Sequence, residues 1–351
     1  MAELASVLAL GLWAPWRRAP PPKPPLRLSI ELGADASRFL GAGPAATLST
    51  AGSTLAFAAT KPGGGRQLYV RRLDQEAASP LSGTENARDP FFSPDGQWIG
   101  FFADGKLKKI ATTGGAAVTL GDAPDDRGGT WAEDGTIFFT PSGGPGTGLL
   151  RVSSAGGTPE PFTKADPAAG VVSDRWPQAL PGGRAVLFTS SSRTGSFDDA
   201  NLVVQPLRGG PRKVVHRGGY HGRYVRSGHL VYIHKGTLFA APFDLDWLEV
   251  TGPAVPALEG VMSNASSAGA QFAFSDEGTL AYLPGQSSGR EEPNQWLDEE
   301  GKTQVLRAAP ADASNLRFSP DGRRLAMDIN DGTQRVVWVY EWERDTMSRL
   351  T

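Results

Sequence analysis

A short phrase returns seven times along this chain: an apolar strand, a tight turn that ends in Gly, and a second apolar strand. The clearest copies are Phe92-Ser93-Pro94-Asp95-Gly96, running on into Trp98-Ile99-Gly100-Phe101, and Phe318-Ser319-Pro320-Asp321-Gly322, running on into Leu325-Ala326. Weaker copies end in Gly52, Gly135, Gly183, Gly228 and Gly278. Pro presets φ for the first central position of a type I turn, Asp tolerates the second, and Gly accepts the positive φ that lets the flanking strands pair as a hairpin. The flanking residues are aromatic or β-branched, as a buried sheet prefers. The turn glycines recur every 39 to 50 residues. A blade of four strands needs about 40–50 residues, so the period predicts an all-β propeller.

The second half of each unit also recurs. Strands are expected at Gln67-Leu68-Tyr69-Val70, Leu149-Leu150-Arg151-Val152, Leu202-Val203-Val204-Gln205 and Val337-Trp338-Val339-Tyr340, each followed by a turn and a short outer strand. With 44 Gly and 28 Pro, turns are plentiful and long helices are hard to place. A net charge of −2 makes no electrostatic case for nucleic acid. The absence of Cys excludes disulfides, thiol catalysis and any Cys-based zinc site.

Residues 5–14 form an apolar run, followed by Arg17, Arg18 and the Pro-rich stretch 20–25. The run falls short of the roughly 20 residues of a full membrane span. Residues 1–26 read as part of a membrane helix, or a signal-like segment, leading into a stiff Pro-rich stalk, with residues 5–16 the expected tether. Residues 26–32 read as an opening strand that pairs with the last blade, since a propeller must hide its final edge.

Several motifs invite a catalytic or metal reading. Gly285-Gln286-Ser287-Ser288-Gly289 matches Gly-x-Ser-x-Gly, but a nucleophile elbow needs a strand before it and a helix after it, and this segment reads as a polar loop. His216, His221, His229 and His234 cluster in sequence without a standard zinc spacing. No catalytic residue, metal or cofactor is expected. The candidate binding residues come from the repeat. Arg88, Arg127 and Arg175 each stand eight positions before a turn Gly; Tyr220 holds that place in the next unit, with His221 and Arg223 alongside. Equal offsets place them around one end of the channel, as a basic crescent for a carboxylate or other anion. The competing expectation is structural, because Asp89, Asp126 and Asp174 adjoin these arginines and Arg–Asp pairs commonly tie loops together.

The Phe92-Ser93-Pro94-Asp95-Gly96 phrase, with strands such as Leu55-Ala56-Phe57, resembles the TolB-type β-propeller repeats over about residues 27–351. Gly156-Gly157-Thr158-Pro159, Gly228-His229-Leu230-Val231-Tyr232 and Pro242-Phe243-Asp244 bring the chain closer to the propeller region that follows the membrane helix in bacterial receptor-type serine/threonine kinases. That resemblance implies a non-catalytic sensor of protein, peptide or small anionic ligands, extracytoplasmic and membrane-tethered. Arg17 and Arg18 pull the other way, since basic residues favour the cytoplasmic side. The kinase motifs themselves are absent from the sequence. Two rival readings are the propeller gate of a prolyl-oligopeptidase-like hydrolase and a stand-alone periplasmic scaffold. TolB-type rings imply six blades, so residues 27–310 are expected as the ring and 311–351 as a further repeat. A closed ring of seven is the alternative.

Overall fold

In the computed structural model, the described residues are 28–29, 31–32, 37–38, 42–61, 64–169, 171–191, 197–288, 295–297, 300–305, 314–330 and 335–351. Residues 5–16, the expected tether, lie outside them. Of the expected opening strand, Leu28, Ser29, Glu31 and Leu32 are described, and none is in a strand.

The rest is built from antiparallel sheets. The second, third and fourth units are four-stranded sheets in sequence order, spanning Arg88 to Asp122, Gly129 to Pro161 and Ser173 to Arg217. The first and fifth units carry one strand more each. The sixth is irregular, with a hairpin Phe272–Phe274 and Leu280–Tyr282 and a second hairpin Gln295–Leu297 and Thr303–Val305. The seventh is a four-stranded sheet from Ser314 to Arg349. Helix is limited, among the described residues, to the single turns Pro167–Ala169 and Pro181–Gly183.

The turn chemistry read from the sequence is what makes the hairpins. All seven turn glycines have positive φ, from 59° at Gly183 to 87° at Gly278. In the strongest copy, Gly96 N–H donates to the Ser93 carbonyl, Trp98 N–H donates to Ser93 Oγ, and Gln97 N–H donates to Asp95 Oδ1. Ser319 and Asp321 repeat the same bonds toward Arg324 and Arg323. Asp95 and Asp321 are held below the ordinary carboxylate range, chiefly by the neighbouring serine hydroxyl.

The core lies between sheets rather than within them. Leu68 and Ala58 of the first unit pack with Ile99 and Phe101 of the second; Phe102 and Leu107 of the second pack with Ile137 and Phe139 of the third. Phe138 meets Phe188 across the third and fourth units, and Leu187 meets Tyr232 across the fourth and fifth. Burying each sheet face against the next is what makes a marginal hairpin array stable. The inner strand Ala46–Leu48 packs against Arg88–Phe92 on one side and Phe272–Phe274 on the other. Gln271 binds this junction: its Oε1 accepts from Ala45 N–H at 2.7 Å and its Nε2 donates to the Gly43 carbonyl at 2.6 Å. The molecule is a β-propeller. The seventh unit has a cluster of its own, formed by Leu325, Met327, Ile329 and Tyr340, while Leu316 and Phe318 on its first strand are exposed.

Candidate functional site

Four of the inner strands break their ladder near the N-terminal end. Register shifts fall between Arg88 and Phe91, Arg175 and Gln178, Tyr220 and Arg223, and Ser314 and Arg317. The residue that follows the first of each pair is left-handed: Asp89 (φ 48°), Trp176 (φ 56°), His221 (φ 54°) and Asn315 (φ 53°), with Gly128 (φ 84°) at the same place in the third unit. For a bulky residue such as Trp this backbone costs about 1–3 kcal/mol, and such outliers gather at functional sites. The equal offsets in the sequence thus mark one repeated bulge. The bulge turns one side chain outward, between sheets, and the next one inward.

The outward set is Arg88, Arg127, Arg175 and Tyr220. Arg88 Nε donates to Asp126 Oδ1 of the next unit at 2.6 Å, and the Asp126 side chain is fully buried. Arg127 Nη1 donates to Asp125 Oδ1 at 2.8 Å and to the Asp126 carbonyl at 2.7 Å. Arg175 has no carboxylate partner. It donates to Ser173 Oγ and to the carbonyls of Gly143, Ser266 and Ser267, and lies over the Phe197 ring at 4.3 Å. Burial, and then Arg127 close by, push its guanidinium down to about 9. Tyr220 is fully buried, and its hydroxyl donates to Ser263 Oγ at 3.0 Å. Asp174 pairs with Arg212 at 2.7 Å rather than with its sequence neighbour.

The inward set meets at the middle of the molecule. The Trp176 indole lies against Gly43 and Gly128, where a Cβ would collide with it, and its N–H donates to the Ser267 carbonyl at 2.8 Å. These contacts come from three other units, so the indole reaches across the middle of the molecule at this level. His221 packs beside it, 5.5 Å between ring centroids, with Phe272 on its other side at 5.2 Å. The buried His221 ring meets no hydrogen-bonding side chain among the described residues, and the Ala268 backbone is its polar neighbour. Burial first, and Arg223 second, hold His221 well below the ordinary imidazole range, so it is neutral. Asp89 is also buried here. The Oδ2 atoms of Asp89 and Asp126 have no hydrogen-bond partner among the described residues. Burial, and then Asp126, raise Asp89 well above the carboxylate range.

Beside these residues lies a cavity of about 200 Å³ lined by six inner strands. Arg223, two residues past His221, lines it. Its Nη1 donates to the Trp176 and Gly222 carbonyls, both at 2.9 Å. Burial alone lowers its guanidinium to about 10, with no carboxylate opposing the shift. Arg226 and Asp276, also in the lining, neutralise each other at 2.8 Å. Of the sequence-derived candidates, His221 and Arg223 line the cavity, while Arg88, Arg127, Arg175 and Tyr220 do not. Sequence reasoning missed Asp89 and Trp176. The available signal was Gly128, since a Gly in a repeated strand position marks a left-handed backbone.

The other motifs stay apart. Ser287–Ser288 is a short strand parallel to Ser263–Asn264 rather than a loop, and Ser287 Oγ faces the Tyr220 hydroxyl. His216 stacks on Tyr232, His229 bonds Ser227, and His234 bonds the Asp198 carbonyl.

No family model matches this sequence. No curated protein matches it. Solved structures with a similar fold include TolB from Acinetobacter baumannii, at a TM-score of 0.46 and 13% identity over 86% of this chain. This chain spans 64% of that protein. An oligogalacturonate lyase from Vibrio parahaemolyticus gives 0.46 and 12% over 90% of this chain and 78% of its own. The β-propeller domain of the Trilobed protease from Pyrococcus furiosus gives 0.44 and 13%, over 87% and 98%. At these identities the likeness is one of fold alone.

Proposed function

We propose that this chain is a non-catalytic recognition propeller whose ligand enters the central cavity. Arg223 carries the reading. A half-buried guanidinium without a carboxylate partner among the described residues is costly, and the fold retains one in the lining of a cavity. The catalytic alternatives lack that support among the described residues, where Ser287 of the one serine motif faces a tyrosine hydroxyl. The six inner strands lining one cavity support a six-bladed ring. The seventh unit, with its own core cluster, is a further repeat beyond it. The resemblance of the repeats to receptor-kinase propellers supports a sensor role, extracytoplasmic and tethered through residues 5–16.

The test is a thermal-shift screen of the full chain against peptides and small metabolites, repeated with Ala273→Trp, which adds bulk to the cavity lining. Ligands that stabilise the wild type, lose their effect in the variant and are recovered unchanged by mass spectrometry are the expected result. Ligands unaffected by the filled cavity, or recovered as products, would overturn the reading.

A further inference from the structure

The cavity is chemically asymmetric. One part of its lining holds Arg223, His221 and Trp176, and its walls carry Phe91, Tyr224 and Phe272. Arg223 spends one terminal nitrogen on the two carbonyls that fix it, and its Nε and Nη2 make no hydrogen bond to the described residues. Those two nitrogens form the planar edge that a carboxylate matches with two parallel bonds. The His221 ring lines the same cavity between Trp176 and Phe272 and, being neutral, adds no charge to it.

Charge balance narrows the ligand. The Arg226–Asp276 pair is self-neutral, Asp126 is paired with Arg88, and burial favours the neutral form of Asp89. Arg223 therefore leaves the cavity with a single positive charge. A monoanion balances it, whereas a phosphate dianion needs a second cation or a cluster of backbone donors that the lining does not supply. Because Arg223 is fixed against the Trp176 carbonyl in the lining, the anionic group is the end of the ligand that meets them. Aromatic walls favour an apolar body behind it.

Resting on the cavity reading above, we infer that the cavity takes a terminal carboxylate carried on an aromatic or aliphatic body, bound to Arg223. Two sources share that chemistry: a free aryl- or alkylcarboxylic acid, and the C-terminal residue of a peptide.

Calorimetric titration of the full chain with 3-phenylpropionate, 3-phenylpropionamide and 2-phenylethylamine tests it, alongside acetyl-Ala-Ala-Phe as free acid and as carboxamide. The acids should bind at least about tenfold more tightly than their amides, the loss expected when a charge-assisted bond to a desolvated guanidinium goes. Arg223→Lys keeps the charge but not the fork, and should weaken the acids by a similar factor while leaving the amides unchanged. A tripeptide acid that outbinds phenylpropionate identifies the peptide source; parity identifies the small acid. Equal binding of acid and amide overturns the carboxylate inference. So does full affinity in a folded Arg223→Lys, or binding of the amine alone, which would leave the cavity reading standing. Silence of every probe also overturns it, and the library screen with Ala273→Trp then decides the cavity reading separately.

Discussion

Gln271 offers the most direct test of how the ring is held. Its side chain lies at the junction between the inner strands of the first and sixth units, 7% exposed, and its amide satisfies two buried backbone groups at once. Those groups, Ala45 N–H and Gly43 C=O, lie more than 220 residues away in sequence. Replacing Gln271 with Leu keeps the volume and removes both partners. A buried polar group left unsatisfied costs about 1–3 kcal/mol, so two cost about 2–6 kcal/mol. That is a large share of the roughly 5–15 kcal/mol typical of a folded domain. Gln205→Leu is the matched control, since Gln205 makes one exposed bond to the Gly210 carbonyl within a single unit, and its cost should stay within about 0.5 kcal/mol. Urea denaturation followed by far-UV circular dichroism gives both midpoints. The Gln271 variant should melt at clearly lower urea and be cut sooner by a protease near residues 42–50. If it lost less than about 1 kcal/mol, or no more than Gln205→Leu, the amide would not be what closes this junction.

Two further outcomes follow from the charges around the channel. Arg88→Ala strands a fully buried Asp126 and should cost about 3 kcal/mol, whereas Arg127→Ala breaks a pair with a mostly exposed Asp125 and should cost about 1 kcal/mol or less. Equal losses in urea melts would refute this division. The raised Asp89 makes stability fall as pH rises. The folded state binds that proton more tightly than the unfolded chain, so the contribution is full below the unfolded value of 3.8 and is lost as pH climbs through the higher folded value. Asp89→Asn removes the titrating carboxyl and should flatten that decline. A variant whose pH–stability curve parallels the wild type would sink the raised Asp89.

Much of the fold was legible because turn chemistry is local. Ser93-Pro94-Asp95-Gly96 makes its bonds within a handful of residues, so its meaning does not depend on the rest of the chain. The same holds for the strands predicted inside the repeats, each of which overlaps an observed one, whereas the opening strand expected over residues 26–32 is not seen at Leu28, Ser29, Glu31 or Leu32. The site was only half legible. The eight-residue offset located a repeated position, but not that the position is a bulge, which sends each arginine outward and its successor inward. Gly128, Asp89 and Asn315 are residue types that tolerate left-handed backbone, so a hint was present; Trp176 and His221 at the same position obscured it.

The sequence by itself therefore determined the repeat, its turns and the class of architecture, all of which follow from interactions a few residues long. Only the tertiary structure decided that Asp126 takes Arg88, that burial raises Asp89, and that Trp176 and Arg223 line one cavity. Those choices join residues dozens to hundreds of positions apart. Closing the ring removes them from water together, and that shared desolvation sets their partners and their charges.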